Sequence, residues 1–293
     1  MINSSGFFGA PEPLSSPGTS GVELIHTSGD GPCRLFKGHR NDRLVVYKCL
    51  KEELRDDPVH QRMLRREYEI GASLKHPGIC EVLDWVSIPG LGDCIEMEWI
   101  DGVPLSQRFA PGKGDVKLQK RVLCDICDAL SYIHRKQVIH KDLKPENILV
   151  TRIGDHVKLL DFGLSDTDSI LTGKGPAGTL LYAAPEVLGG QSADARSDIY
   201  SLGRMMLDMD AAFGRIARKC TAEDSGRRYA SAEEVRRAIE TVGTMRAALP
   251  VMLAAVILLA ALAVWVSGQK TDQVGRVFDE AVKMIRDAST QAL

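Results

Sequence analysis

The chain has 293 residues, 44% of them hydrophobic, and 37 Lys and Arg against 39 Asp and Glu leave a formal net charge of −2. That length holds one large domain or two lobes with real cores, and without a long basic block there is no electrostatic case for nucleic acid. The seven cysteines (33, 49, 80, 94, 124, 127 and 220) fall in apolar stretches instead of a disulfide ladder, which predicts a reducing compartment.

Residues 1–21 open with "MINSSGFFGAPEPLSSPGTS", a Ser-, Gly- and Pro-rich arm expected to be disordered. From 22 to 100 the pattern is of short strands with one helix. "RLVVYKCL" and "CIEMEWI" read as strands, and "PVHQRMLRREYEIGASL" between them reads as a helix. From 101 to 243 the chain becomes mainly helical. "KLQKRVLCDICDALSYIH" sets Leu118, Val122, Ile126, Ala129, Leu130 and Ile133 on one stripe, the mark of a core helix. Cys124 and Cys127 form C-x-x-C with no second pair or His pair to complete a zinc site, so they read as neighbours on that helix. "DIYSLGRMMLDMD" and "SAEEVRRAIETV" are further helices, the second capped by Ser231 with Glu234 three residues on.

The run "LPVMLAAVILLAALAVWV", Leu249 to Val266, carries no charge and lies between Arg246 and Lys270. As a helix it reaches about 27 Å, long enough for the hydrocarbon core of a bilayer. It has no polar face, and Trp265 suits the interface. One transmembrane helix is therefore expected over 247–267, followed by a short tail, 268–293, too small to fold alone.

The chemistry concentrates elsewhere. "HKDLKPEN", residues 140–147, follows the core helix and offers Asp142 as a base, Lys144 as a cation and the Asn147 carbonyl oxygen for a hard metal. Further on, "LLDFGLSD" places Asp161 at the end of an apolar strand, and Asp161 with Asn147 can hold Mg2+ if the two loops meet. Lys48 lies inside the apolar strand "VVYK" and demands a counter-ion or an anion; Glu67 in the next helix is a candidate. A lysine for phosphate oxygens, two metal ligands and a base for a hydroxyl together make a phosphoryl-transfer site.

In their order, "VVYK", Glu67, "HKDLKPEN", "DFG" at 161–163, "APE" at 184–186 and "DIYSLG" at 198–203 resemble the eukaryotic-type Ser/Thr protein kinases over about residues 22–243. The resemblance implies an α+β, bilobal fold, with a small β-rich N-lobe (22–100) and a larger helical C-lobe (101–243). It implies that Asp142 accepts the substrate hydroxyl proton while Lys144 steadies the transferring phosphate. Asn147 and Asp161 hold Mg2+, or Mn2+ in its place, and Lys48 grips the ATP phosphates while paired with Glu67. Met97-Glu98-Trp99-Ile100 resembles the hinge that receives adenine through Met97, Glu98 and Ile100, with Val46 against the ring. Gly29 and Gly31 resemble a glycine-rich loop, and Thr179 resembles a threonine contacting the catalytic Asp. Glu186 is expected to pair with Arg228, Asp198 to accept backbone N–H bonds from the loop at 140–147, and His140 to pack and hydrogen-bond as scaffold.

The chain departs from the family in four places. Arg34 stands at the third glycine position with Phe36 after it, Val46 replaces a small alanine, and Lys141 replaces an arginine that commonly grips a phosphorylated activation loop. Thr167, Ser169 and Thr172 remain as sites for such phosphorylation. Between "LDMD" and "FGRIARKC" a helix of the late C-lobe is missing. The expected function is a single-pass membrane Ser/Thr kinase with its catalytic domain in the cytoplasm and protein substrates. Its membrane contacts are the bilayer through 247–267 and a membrane partner or a second copy. The alternatives are a pseudokinase-like nucleotide-binding scaffold at the membrane, and a kinase of small molecules or lipids.

Overall fold

The computed structural model describes residues 21–29, 31–109, 115–162 and 181–243, with isolated helical positions between 257 and 283. The chain divides into two units, Met1–Glu240 and Thr241–Leu293, and every element named here belongs to the first.

Strands Glu23–Thr27 (β1), Cys33–Arg40 (β2), Arg43–Leu50 (β3), Val82–Ile88 (β4) and Gly92–Glu98 (β5) form an antiparallel sheet in the order β1-β2-β3-β5-β4. β3 is central, which explains why "VVYKCL" is apolar on both faces. Val45, Tyr47 and Cys49 point to one side, into a cluster with Phe36, Leu91 and Cys94. Leu50 and Ile95 point to the other, onto Leu64 and Val82. Leu64 belongs to helix Pro58–Ser73 (α1), whose start is set by Pro58 and by the Asp57 carboxylate accepting from the Val59 N–H at 2.9 Å. Close approach of α1 to the sheet depends on Gly71, since a Cβ there would meet Val82 Cγ2 at 2.5 Å.

The second lobe contains a small sheet, of which the sequence shows only the strand before Asp161. Gly102–Pro104 (β6), Ile148–Thr151 (β7) and Val157–Leu159 (β8) pair antiparallel in that order. These strands are three or four residues long, too short to show an alternating pattern. Around them lie Leu105–Arg108 (α2), Val116–Arg135 (α3), Pro185–Leu188 (α4), Ala195–Leu207 (α5), Gly214–Cys220 (α6) and Ala232–Glu240 (α7).

The buried stripe of α3 contains Val122, Ile126, Ala129, Leu130 and Ile133 as expected, but Leu118 is only half-buried. Gln119 is buried beside it instead, because its amide oxygen accepts from the Asp210 N–H at 3.1 Å. Cys124 and Cys127 sit on α3 as free thiols, and among the described residues no cysteine is in a disulfide. At α7 the Ser231 hydroxyl accepts from the Glu234 N–H, but the Glu234 carboxylate accepts from Ala230, one residue earlier than a reciprocal cap requires. Between α5 and α6 there is a single 3-10 turn, Ala211–Phe213, so the late C-lobe is short.

The arm at 1–20, the segment containing Gly163, Thr167, Ser169, Thr172 and Thr179, and most of the apolar run at 247–267 lie outside the described residues. Among the described residues no helix is long and apolar enough to cross a membrane.

Candidate active site

The two lobes meet where β3, α1, the α3–β7 loop and the residue two beyond β8 converge. Lys48 Nζ lies 2.6 Å from Glu67 Oε1 and 2.6 Å from Asp161 Oδ1, across 19 and 113 residues of sequence. Glu69, two residues on, instead pairs with Arg65 on the exposed face of α1. Lys48 is only 7% exposed, so its charge has to be met locally. Burial alone lowers its pKa, yet Asp161 and Glu67 outweigh that and hold the ammonium well above its ordinary value. The carboxylates share one cation unequally. Burial acts on Asp161 as well, but Lys48 pulls its carboxyl below the usual range. Burial prevails at Glu67 and pushes its carboxyl up.

The α3–β7 loop is held by its own side chains. Lys144 Nζ donates to Asp142 Oδ2 at 2.7 Å, and Asn147 Nδ2 donates to the same oxygen at 2.9 Å and to the Asp142 carbonyl at 2.8 Å. Asn147 thereby spends its amide hydrogens on Asp142, leaving its oxygen for a cation. Asp161 likewise uses Oδ1 on Lys48, and its side chain is 39% exposed, open to the cleft. Two oxygen ligands from two loops suit Mg2+, which takes most of its shell from water and phosphate. Among the described residues no larger cluster of metal-ligating side chains exists, so the donor set fits a metal that arrives with a phosphate.

Behind the loop stands Asp198 on α5, almost fully buried, as expected from its place in "DIYSLG". It accepts from the His140 N–H at 2.9 Å, the Lys141 N–H at 3.0 Å and His134 Nε2 at 2.7 Å. These bonds hold Lys141 in a left-handed conformation, φ 67°. The His140 ring packs on Phe162 with centroids 5.3 Å apart. Its ring nitrogens find no partner among the described residues, so only its main chain hydrogen-bonds. Glu186 and Arg228 pair through both guanidinium nitrogens at 2.7 Å.

An apolar cluster adjoins the loop, where the Leu160 N–H donates to the Asn147 carbonyl at 2.8 Å. Val46 on β3 faces Met97 on β5, and Ile100 packs with Cys80 and Leu149, flanked by Met97 and Leu160. Leu149 and Leu160, which pack in this cluster, escape a sequence reading because they look like ordinary core; their spacing from Asn147 and Asp161 is the signal available. The Glu98 N–H is already used by the Glu81 carbonyl at 2.9 Å, while the main chain of Ile100 has no backbone partner among the described residues. Among the described residues the Ile100 main chain thus leaves an N–H and a carbonyl that a ligand could satisfy.

Strand β2 corrects the sequence register. Directly opposed residues on neighbouring strands share a face. Leu35 opposes Lys48, so Leu35 and Cys33 face the cleft. Arg34 opposes Cys49 and turns to the other side, its guanidinium 5.7 Å from the Phe36 ring centroid. Cys33, not Arg34, thus holds the third glycine position, and Arg34 neither blocks the cleft nor adds a cation to it. The missing glycine hid a one-residue shortening of the turn. Gly31 closes that turn, donating to Ser28 Oγ at 2.8 Å, where a Cβ would meet that oxygen at 2.3 Å. Gly29 has open space around it and offers its carbonyl to Lys51 Nζ at 3.2 Å. His26 on β1 opposes Leu35 and so faces the cleft as well, a position that no motif marks.

Residues 27–241 match the family model described as the protein kinase domain. The chain is 37% identical over 196 residues to a probable serine/threonine-protein kinase of Streptomyces coelicolor, covering 61% of this chain and 28% of that protein. It is 34% identical over 196 residues to serine/threonine-protein kinase PknB of Mycobacterium tuberculosis, covering 64% of this chain and 31% of that one. The matched stretch is thus less than a third of the length of either relative. A crystal structure of the Mycobacterium tuberculosis PknI kinase domain shares the fold, with a TM-score of 0.60 and 23% identity over 79% of this chain and 100% of that one.

Proposed function

Because this chain belongs to the protein kinase domain family through residues 27–241, we propose that it transfers the γ-phosphoryl group of ATP, as its Mg2+ complex, to serine or threonine hydroxyls of protein substrates. The observation that carries this reading is Lys48 held between Glu67 and Asp161 at 2.6 Å each, facing a loop that presents Asp142, Lys144 and Asn147. Asp142 keeps one carboxylate oxygen free of hydrogen bonds from described residues, available to orient a hydroxyl and take its proton. Lys144, already on the other oxygen, supplies positive charge where the phosphoryl group passes. Asn147 and Asp161 would hold the metal, which would supply positive charge that offsets the charge of the phosphates. Met97, Glu98 and Ile100 would line the adenine end beneath Val46, with Gly29 and Gly31 in the turn over the phosphates.

The apolar run at 249–266, bracketed by Arg246 and Lys270, supports a membrane anchor, with the catalytic unit on the cytoplasmic side where ATP is found. The test is the full chain in detergent with labelled ATP, Mg2+ and a generic protein acceptor. Label on Ser or Thr that disappears in Asp142→Asn supports the reading. Nucleotide binding without transfer, unchanged in that variant, would leave a nucleotide-binding scaffold instead.

A further inference from the structure

The Glu98 carboxylate lies at the end of β5, where it is taken up by two protein partners. Its Oε1 accepts from Lys158 Nζ at 2.5 Å and from the Glu81 N–H at 2.9 Å. Three segments therefore meet on one oxygen: the end of β5, where the hinge begins; the linker from α1 to β4; and β8 of the other lobe. Lys158 also reaches the Ile79 carbonyl at 3.4 Å. The main chain reinforces the junction, with Leu159 N–H donating to the Gly78 carbonyl at 2.8 Å and Cys80 N–H to that of Leu159 at 2.9 Å. The ion pair is mostly sheltered, with Lys158 and Glu98 side chains 19% and 28% exposed.

What this junction joins matters. Glu98 is two residues before Ile100, whose main chain has no backbone partner among the described residues, and Lys158 is three residues before Asp161. We propose that Glu98 and Lys158 are positioning residues that set the distance between the hinge peptide and the Asp161 carboxylate, so that one nucleotide reaches both. This rests on the nucleotide-binding reading above. The physical reason is that a ligand bound at both ends gains from the second contact only if the two ends are already spaced for it. Main-chain bonds at residues 78–80 tie β8 to the linker and the Glu98 N–H ties the linker to the hinge through the Glu81 carbonyl at 2.9 Å, and the Glu98–Lys158 pair adds the direct connection from hinge to β8.

A double-mutant cycle on the full chain in detergent tests this with Glu98→Gln, Lys158→Gln and both together, reading dissociation constants of a fluorescent ADP with and without Mg2+. Each single variant is expected to weaken Mg·ADP about three- to tenfold, and the double no more than either single, because one interaction is lost in all three. Metal-free ADP, which does not need Asp161, is expected to weaken much less. Lys158→Arg keeps the charge and is expected to restore most of the affinity. Additive effects, or equal weakening with and without Mg2+, would overturn the proposal, since a merely structural role loosens both ends alike. If no variant can be purified folded except Lys158→Arg, unchanged Mg·ADP affinity in that variant supports it and a loss equal for both nucleotide forms counts against it. A wild-type chain that binds no nucleotide would overturn the nucleotide reading and this proposal with it. Nucleotide binding without phosphoryl transfer would overturn only the kinase assignment.

Discussion

The Lys48 ammonium, buried on β3, lies at the same 2.6 Å from Glu67 on α1 and from Asp161 beyond β8. One cation thus ties a strand and a helix of one lobe to a loop of the other. Lys48→Met leaves the two carboxylates facing each other across a shielded space. The variant is expected to lose phosphoryl transfer by about two to three orders of magnitude, measured with labelled ATP, and to bind Mg·ATP more weakly in a titration.

The metal requirement follows from how Asn147 is held. Its amide hydrogens are spent on Asp142, so on the proposed reading Asn147→Ala is expected to remove a metal ligand and, among the described residues, to leave the Asp142 carboxylate held by Lys144 alone. The Mg2+ concentration for half-maximal rate is expected to rise roughly tenfold, with kcat also falling. An unchanged Mg2+ dependence would remove Asn147 from the metal site.

Acid should unfold the second lobe through Glu186. Burial pushes its carboxyl up, but Arg228 and Ser197 outweigh this and hold it below the ordinary glutamate value of 4.5. A depressed folded-state pKa contributes stability that is present above the unfolded value and lost as pH falls through the folded one. Stability is therefore expected to drop below about pH 4.5. Glu186→Gln leaves the buried Arg228 guanidinium with neutral partners only, the carbonyls of Ala222, Arg196 and Glu223 among them, at a cost of up to about 3 kcal/mol at neutral pH. Urea unfolding from pH 7 to pH 3 should show a lower and flatter profile for that variant.

Gly71 links packing to the site. In Gly71→Ala the new methyl meets Val82 Cγ2 at 2.5 Å, pushing α1, and Glu67 with it, off the sheet. A stability loss of about 1–3 kcal/mol is expected, with a fall in activity larger than that of a comparably destabilised Gly203→Ala. A Cβ at Gly203, on α5, would meet Cys220 Cβ of α6 at 2.4 Å. Adding Val82→Ala should recover part of the activity of Gly71→Ala; no recovery would mean that the contact does not position Glu67.

Arg34 provides the opposite expectation. Its side chain lies over Phe36, on the face of the sheet turned from Lys48. Arg34→Ala should leave nucleotide affinity within about twofold, the usual range for a substitution away from the site. A larger change in a binding titration would return Arg34 to the cleft.

Local chemistry made much of the site readable before any coordinates. An apolar strand interrupted by Lys48, a polar loop carrying Asp142 and Asn147, and Asp161 at a strand end are each visible because their residue types contradict their surroundings. Leu149, Leu160, His26 and Cys33 were not readable this way, because a leucine beside a site and a leucine in a core have the same pattern. The buried Gln119 was missed for the converse reason: its partner, Asp210, is 91 residues away.

The sequence by itself determined which chemical groups this protein owns and the order in which the chain delivers them, since residue identity and strand or helix periodicity are properties of short stretches. Which side of the sheet Cys33 and Arg34 face, and that Glu98 reaches Lys158, were decided only by tertiary structure. Those outcomes depend on strand register and on the meeting of lobes, and a shift of one residue in register reverses every side chain on a strand. No local pattern carries that information.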